Sequence, residues 1–356
     1  MKKNHNGIIS FWKFMFSLMI MAFHSGSYYP ELKYHFSSGS LGVEFFFIVS
    51  GYLFCKKCLN YKNVNNEDLG KESLSFLIKK IKSFLPYILF LIVISIPCTL
   101  FFLKFNIADY VHSIYNILLL PVEGGVHQDV YALLWYISTM VIVQFFLFPI
   151  IIKRRNNYVY YVSPILVFIL SGYLLVKWGF IADPWSLELF SYKGVIRGLL
   201  DINIGIAIYP LVEKIKKINL TDFSRLFLTI FEFVGYLSIF IIVNKSIAHI
   251  RYTMLCLLIM SSCITISFSN KSLMQDFSNN KLFYYLEKIS LPLYINQWLI
   301  IFMIRYVTDS INYNIAYRYL FLITFVISFI IGVVELKIIK VFSNNKSKIK
   351  KIFISD

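Results

Sequence analysis

Phe84-Leu85-Pro86-Tyr87-Ile88-Leu89-Phe90-Leu91-Ile92-Val93-Ile94-Ser95-Ile96-Pro97-Cys98-Thr99-Leu100-Phe101-Phe102-Leu103 contains no charged side chain. A helix of about twenty residues spans roughly 30 Å, the thickness of bilayer hydrocarbon. Nine more apolar windows surround this one, near 8–24, 41–55, 131–152, 158–176, 194–212, 226–243, 252–268, 286–304 and 317–339. They do not alternate polar and apolar residues, and lipid tolerates only helices or closed barrels, so helices are expected. Composition agrees. Of 356 residues 58% are apolar and 15% charged, whereas soluble domains carry about a quarter charged residues. Ten spans of ~20 residues would occupy about 200 positions. A soluble enzyme, a nucleic-acid binder and a disordered scaffold are excluded. The expected fold is all-α, a polytopic membrane protein of about ten transmembrane helices. The short apolar segment 107–121 is read as an interfacial piece.

The excess of 35 Lys and Arg over 19 Asp and Glu gives a net charge of +16. With the N-terminus inside, 25 of the basic residues fall in inner segments and 8 in outer loops. That asymmetry predicts N-in/C-in orientation. The basic start interrupted by Lys13, with no small-residue cleavage site after it, reads as an uncleaved first span. Residues 1–343 form one transmembrane domain and 344–356 a basic cytoplasmic tail held at the anionic inner leaflet. The polar stretch 56–75 is expected to be an inner loop. Cys55 and Cys58 form a CxxC without the second pair or histidine that zinc needs, so reduced thiols and no metal are expected.

Ionisable residues inside spans are costly and point to function. Lys13 and His24 lie eleven residues apart on the first window, about three turns, hence near one face and ~16 Å apart along the axis. Lys13 alone would be a snorkelling interfacial lysine, and His24 alone an interfacial histidine. Glu44, between Val43 and Phe45, is placed by the orientation at roughly the depth of His24. A His24–Glu44 pair, with the carboxylate orienting the imidazole, would be the arrangement of a general base. Arg197 and Asp201 are four apart on the sixth window and are expected to form a structural ion pair.

The spacing Lys13-x10-His24, followed by Gly42-Val43-Glu44-Phe45-Phe46-Phe47-Ile48-Val49-Ser50-Gly51-Tyr52-Leu53, resembles the membrane-bound acyltransferase family 3, integral membrane O-acetyltransferases of envelope polysaccharides. Phe76–Tyr87, with Lys79, Lys80, Lys82 and Pro86, is similar to that family's basic approach to its third span. Leu134-Trp135-Tyr136-Ile137-Ser138 and Ile289-Ser290-Leu291-Pro292-Leu293-Tyr294-Ile295 resemble its later elements. The resemblance implies an acyltransferase domain over 1–343 that takes acetyl from cytosolic acetyl-CoA to a hydroxyl of a cell-surface or capsular polysaccharide, or of its lipid-linked precursor. It implies a multi-pass protein of the plasma (inner) membrane, with membrane lipid and the glycan as partners. It carries to His24 as the catalytic histidine and to Lys13 as its basic partner. The family's paired-arginine motif carries to Lys80; its second position is Ser83, with Lys82 the nearest base. Where the late motif often ends in histidine this chain has Gln297, a hydrogen-bonding rather than titrating group. Lysine for arginine keeps charge but loses the bidentate fork.

Under this reading Lys79, Lys80 and Lys82 meet the CoA phosphates, Lys13 the arm or diphosphate, and Ser50 lines the acyl channel. For each of the three lysines singly, topogenic charge is an equal alternative. His24, polarised by Glu44, takes the acceptor proton; direct transfer and a transient acyl-histidine both fit. Trp135, Tyr136 and Gln297 are candidates for the acceptor or channel lining, although Trp135 and Tyr136 also read as interfacial belt residues. Glu123, His127 and Asp129 sit in an outer loop, for which an ordinary solvated loop is the favoured reading and contact with an acceptor the alternative. Gly51 is read as a packing residue. The competing class is a polysaccharide or lipid-linked sugar transporter or flippase without acyl transfer, which gives no reason for the Lys-x10-His spacing.

Overall fold

The structure, a computed structural model, describes residues 6–26, 36–101, 114, 130–177, 187–188, 191–245, 250–278 and 280–352. The chain is a helical membrane protein. In order come α1 (Gly7–Gly26), a 3-10 turn (Gly39–Leu41), α2 (Gly42–Leu59), α3 (Asn66–Phe101), α4 (Trp135–Asn157) and α5 (Ser163–Lys177). After them come α6 (Lys193–Ala207), α7 (Tyr209–Lys216), α8 (Asp222–Lys245), α9 (Ile250–Ser269), α10 (Met274–Ser278), α11 (Lys281–Ser310) and α12 (Tyr317–Ile352). A two-residue antiparallel pairing of Leu187–Glu188 with Ser191–Tyr192 precedes α6. Eight helical stretches among the described residues are long and apolar enough to cross a membrane. One of them, Ala132–Lys177, holds two of the predicted windows, and the window 286–304 lies in α11, which is not among the eight. The outer surface is apolar, with Phe168, Val176 and Phe223 each at least 80% exposed. Lipid, not water, satisfies such a surface.

Three boundaries differ from the sequence expectation. The stretch expected as an inner loop becomes helix from Asn66, where Leu69 packs against the hydrophobic core and Phe76, just beyond the stretch, stacks on Phe148 at 4.5 Å. The sixth window is two helices, since Pro210 at the start of α7 lacks the N–H that a continuous helix needs. The last helix runs on to Ile352, so residue 344 is no break in secondary structure. The segment 107–121 lies outside the described residues except for position 114. All five cysteines are free thiols.

The break between α4 and α5 is made by Arg155, whose backbone (φ 32°, ψ −111°) is non-helical. Its guanidinium offsets that strain by donating to the Leu59 and Tyr61 carbonyls, at 2.9 and 3.0 Å, and to Asn63 Oδ1 at 2.8 Å. The same bonds satisfy carbonyls at the end of α2.

Helix α2 is the axle of the bundle. Glu44, Phe45, Phe47 and Ile48 are all fully buried, so most of its circumference meets protein, while Leu53 on the remaining side is 45% exposed. Its closest neighbour is α6, and two glycines permit the approach. A Cβ on Gly51 would lie 2.2 Å from the Ile202 carbonyl oxygen, and one on Gly205 2.1 Å from the Ile48 carbonyl oxygen. Small residues at a crossing let backbones touch. Gly205→Ala should therefore force the helices apart and destabilise the protein by about 1–3 kcal/mol or more. A lowered midpoint for heat-induced aggregation in detergent is the readout, and an unchanged midpoint would contradict this packing.

Candidate active site

Helices α1 and α11 run parallel in a shared register. Lys13 Nζ lies 2.7 Å from Glu287 Oε1, and eleven residues further along both helices the His24 ring meets Trp298 edge-on at 4.6 Å between centroids. Eleven residues of helix rise ~16 Å. The two contacts thus define a lysine end and a histidine end.

A cavity of about 350 Å³ lies among α1, α2, α3, α4 and α11. At the lysine end its wall carries Lys13, Lys80, Glu287 and Lys288; toward the histidine end it carries Phe46, Tyr136 and Tyr294. Between them lie Ser50 and Met140. Lys13 shares its charge with Glu287, which also accepts from Ser10 at 3.3 Å. Lys80 and Lys288 have no carboxylate within salt-bridge distance among the described residues; each lies beside an aromatic ring, Phe84 and Tyr284. The mouth is therefore net positive. At the other end Trp298 follows Tyr294 by one turn on the same helical face. Half-buried His24, against Trp298, consequently stands about one turn beyond the cavity's aromatic end.

The expected His24–Glu44 pair is not formed. Glu44 Oε1 accepts from Arg197 Nε at 2.9 Å and also from Nη2, while its Oε2 has no hydrogen-bond partner. The reason is register. Gly39 packs against Met19 and Phe23, Gly42 against Phe16 and Ile20, and Phe45 stacks on Phe16 at 4.4 Å. Continuing that register puts Glu44 opposite the turn at Phe16 and Ser17, ~11 Å short of His24 along the axis. The expected Arg197–Asp201 pair is corrected by the same finding. Arg197 turns to Glu44 on α2, with the Trp135 ring 5.2 Å from its guanidinium carbon, and neither carboxyl oxygen of buried Asp201 has a hydrogen-bond partner. The interhelical bond joins two helices already in tight contact, which a pair within α6 would not do.

Of the other anticipated residues, Lys13, Lys80, Ser50 and Tyr136 come together on the cavity wall. Lys79 and Lys82 are exposed on other faces of α3, because a helix cannot turn three residues in four toward one side. Trp135 faces Arg197 instead of the cavity. Gln297 is fully buried, its amide donating to the Tyr294 carbonyl at 3.0 Å, and does not line the cavity. Glu123, His127 and Asp129 lie outside the described residues. The sequence reading quoted Tyr294 within a family-like element without giving it a role, and it missed Glu287, Lys288 and Trp298. Their only signal was the Glu287–Trp298 spacing, which matches Lys13–His24 and gains meaning once α1 and α11 are known to be parallel.

The fold and site define an integral membrane helical protein with a positively lined cavity that ends about one turn from His24. The model of the acyltransferase domain, acyltransferase family 3, matches residues 6–334, and the chain belongs to that family. It is a membrane acyltransferase. No curated protein and no solved structure matches it.

Proposed function

We propose that this acyltransferase moves acetyl from cytosolic acetyl-CoA to a hydroxyl of a cell-surface or capsular polysaccharide, or of its lipid-linked precursor, in the plasma (inner) membrane. The observation that carries the proposal is the α1–α11 register, with Lys13 at the positive mouth and His24 one turn past the aromatic end of the same cavity. In this reading the lysine end faces the cytosol, consistent with the 25 to 8 bias of basic residues and with N-in/C-in topology. Lys80 and Lys288 meet the donor's phosphates as point charges, and Lys13, held by Glu287, stands beside the arm. A cavity of about 350 Å³ takes the arm and acyl group and leaves the nucleotide at the mouth.

The acceptor approaches from the histidine end. His24 takes its hydroxyl proton, the oxygen attacks the thioester carbonyl, the C–S bond breaks as the C–O bond forms, and the imidazolium returns the proton to the leaving thiolate. Glu44 has no part in this step; it serves the Arg197 bond.

Mass analysis of envelope glycan from cells with and without this protein tests donor and acceptor together. Loss of acetyl-sized increments on one glycan is expected. An unchanged glycan profile, with acetyl-CoA not consumed by membranes that contain the protein, would refute the proposal.

A further inference from the structure

Two hydroxyls in the cavity wall spend their protons on one sulfur. Ser50 Oγ lies 3.0 Å from Met140 Sδ, and Tyr136 Oη lies 3.8 Å from the same atom. A thioether is a weak acceptor. Ser50's oxygen is fixed from behind by buried Gln144, whose Nε2 donates to it at 2.7 Å. With one lone pair so engaged, the Ser50 hydroxyl is presented as a donor, and its current acceptor is easily displaced. All three of Ser50, Tyr136 and Met140 line the cavity. The walls beside them are Phe46, Val49, Phe84 and Leu291, which leave a carbonyl oxygen few other donors at that depth.

The geometry points to Ser50 and Tyr136, with Gln144 as positioning residue, as a binding site for a carbonyl oxygen of the acyl donor. It rests on the donor reading above and deepens it: the ligand is a linear arm bearing an amide or thioester carbonyl. On arrival the two hydroxyls swing from sulfur to oxygen, exchanging a weak acceptor for a strong one. Gln144 keeps Ser50 in place throughout.

Binding of acetyl-CoA and of free CoA to the full-length protein in nanodiscs, by calorimetry, tests the assignment. Ser50→Ala should weaken binding about fivefold, the size of one net hydrogen bond, and Ser50→Thr should retain it. Met140→Leu should do the opposite. It removes the competing acceptor at nearly constant volume, so binding should tighten by a few fold, which a merely structural methionine would not produce. Weakening of acetyl-CoA and CoA alike by Ser50→Ala identifies an arm amide as the ligand, and weakening of acetyl-CoA alone identifies the thioester. If the wild type binds both ligands and neither Ser50→Ala nor Met140→Leu changes affinity, this assignment is overturned and the donor reading stands. If the wild type binds neither ligand, the donor reading falls and takes the carbonyl site with it.

Discussion

His24→Ala is expected to remove acyl transfer while leaving the protein folded in the membrane. Withdrawal of a general base costs about 10²–10⁴-fold, which takes turnover below detection in a membrane assay. The side chain is half-buried at the edge of Trp298, and the helix around it is anchored elsewhere: Tyr317 donates to the Ala22 carbonyl at 3.2 Å, and Gly39 packs on Met19 and Phe23. Truncation therefore leaves α1 seated, and size-exclusion profiles should match the wild type. Consumption of acetyl-CoA by membranes, with label recovered in glycan, is the measurement. Retained transfer in the alanine variant would remove His24 from the chemistry. Because Glu44 is bound to Arg197, Glu44→Gln should not reproduce the His24→Ala loss; if it did, an orienting role for the carboxylate would have to be restored.

The second large effect concerns stability. Arg197 and Glu44 are about 1% and 0% exposed and tie α6 to α2. Removing one partner of a buried ion pair strands the other charge and costs about 3–5 kcal/mol. Arg197→Met is the severe case, because it takes the guanidinium away from buried Glu44 and leaves a second buried carboxyl, Asp201, one turn along the same helix. Little folded protein should survive detergent extraction. Glu44→Gln should be milder. The double variant Glu44→Leu with Arg197→Leu should recover much of the loss, since replacing both charges by apolar groups is often neutral. Asp201→Asn should be tolerated, as no bond in the structure depends on its charge. Had the ion pair been Arg197–Asp201, the ranking of Glu44→Gln and Asp201→Asn would be reversed. Fluorescence-detected chromatography of the four variants decides between the two pairings.

These outcomes depend on facts of different legibility. The ten apolar windows are helical over nearly all of their described residues, with Tyr131 and Ile208 at turns, because a chain in lipid must bond its own backbone and has little choice of secondary structure. The pairing of Lys13 with His24 on one helix was also legible, since spacing along a helix is fixed at 3.6 residues per turn. Glu44 shows where legibility stops. Placing it level with His24 assumed that α2 begins at the membrane edge. The chain instead enters through the turn Gly39–Leu41, packed on Met19 and Phe23, so Glu44 starts deeper.

Sequence alone determined that this chain spans a membrane as helices, and that Lys13 and His24 share a helix three turns apart. Those properties follow from one-dimensional periodicity and from the cost of exposing backbone to lipid. Tertiary structure alone decided which charges meet: Glu44 with Arg197, Lys13 with Glu287, His24 against Trp298. Partners on different helices depend on how far each helix slides past its neighbours. Contacts such as Gly205 on Ile48 and Phe45 on Phe16 set that sliding, and no periodicity within a single helix encodes it.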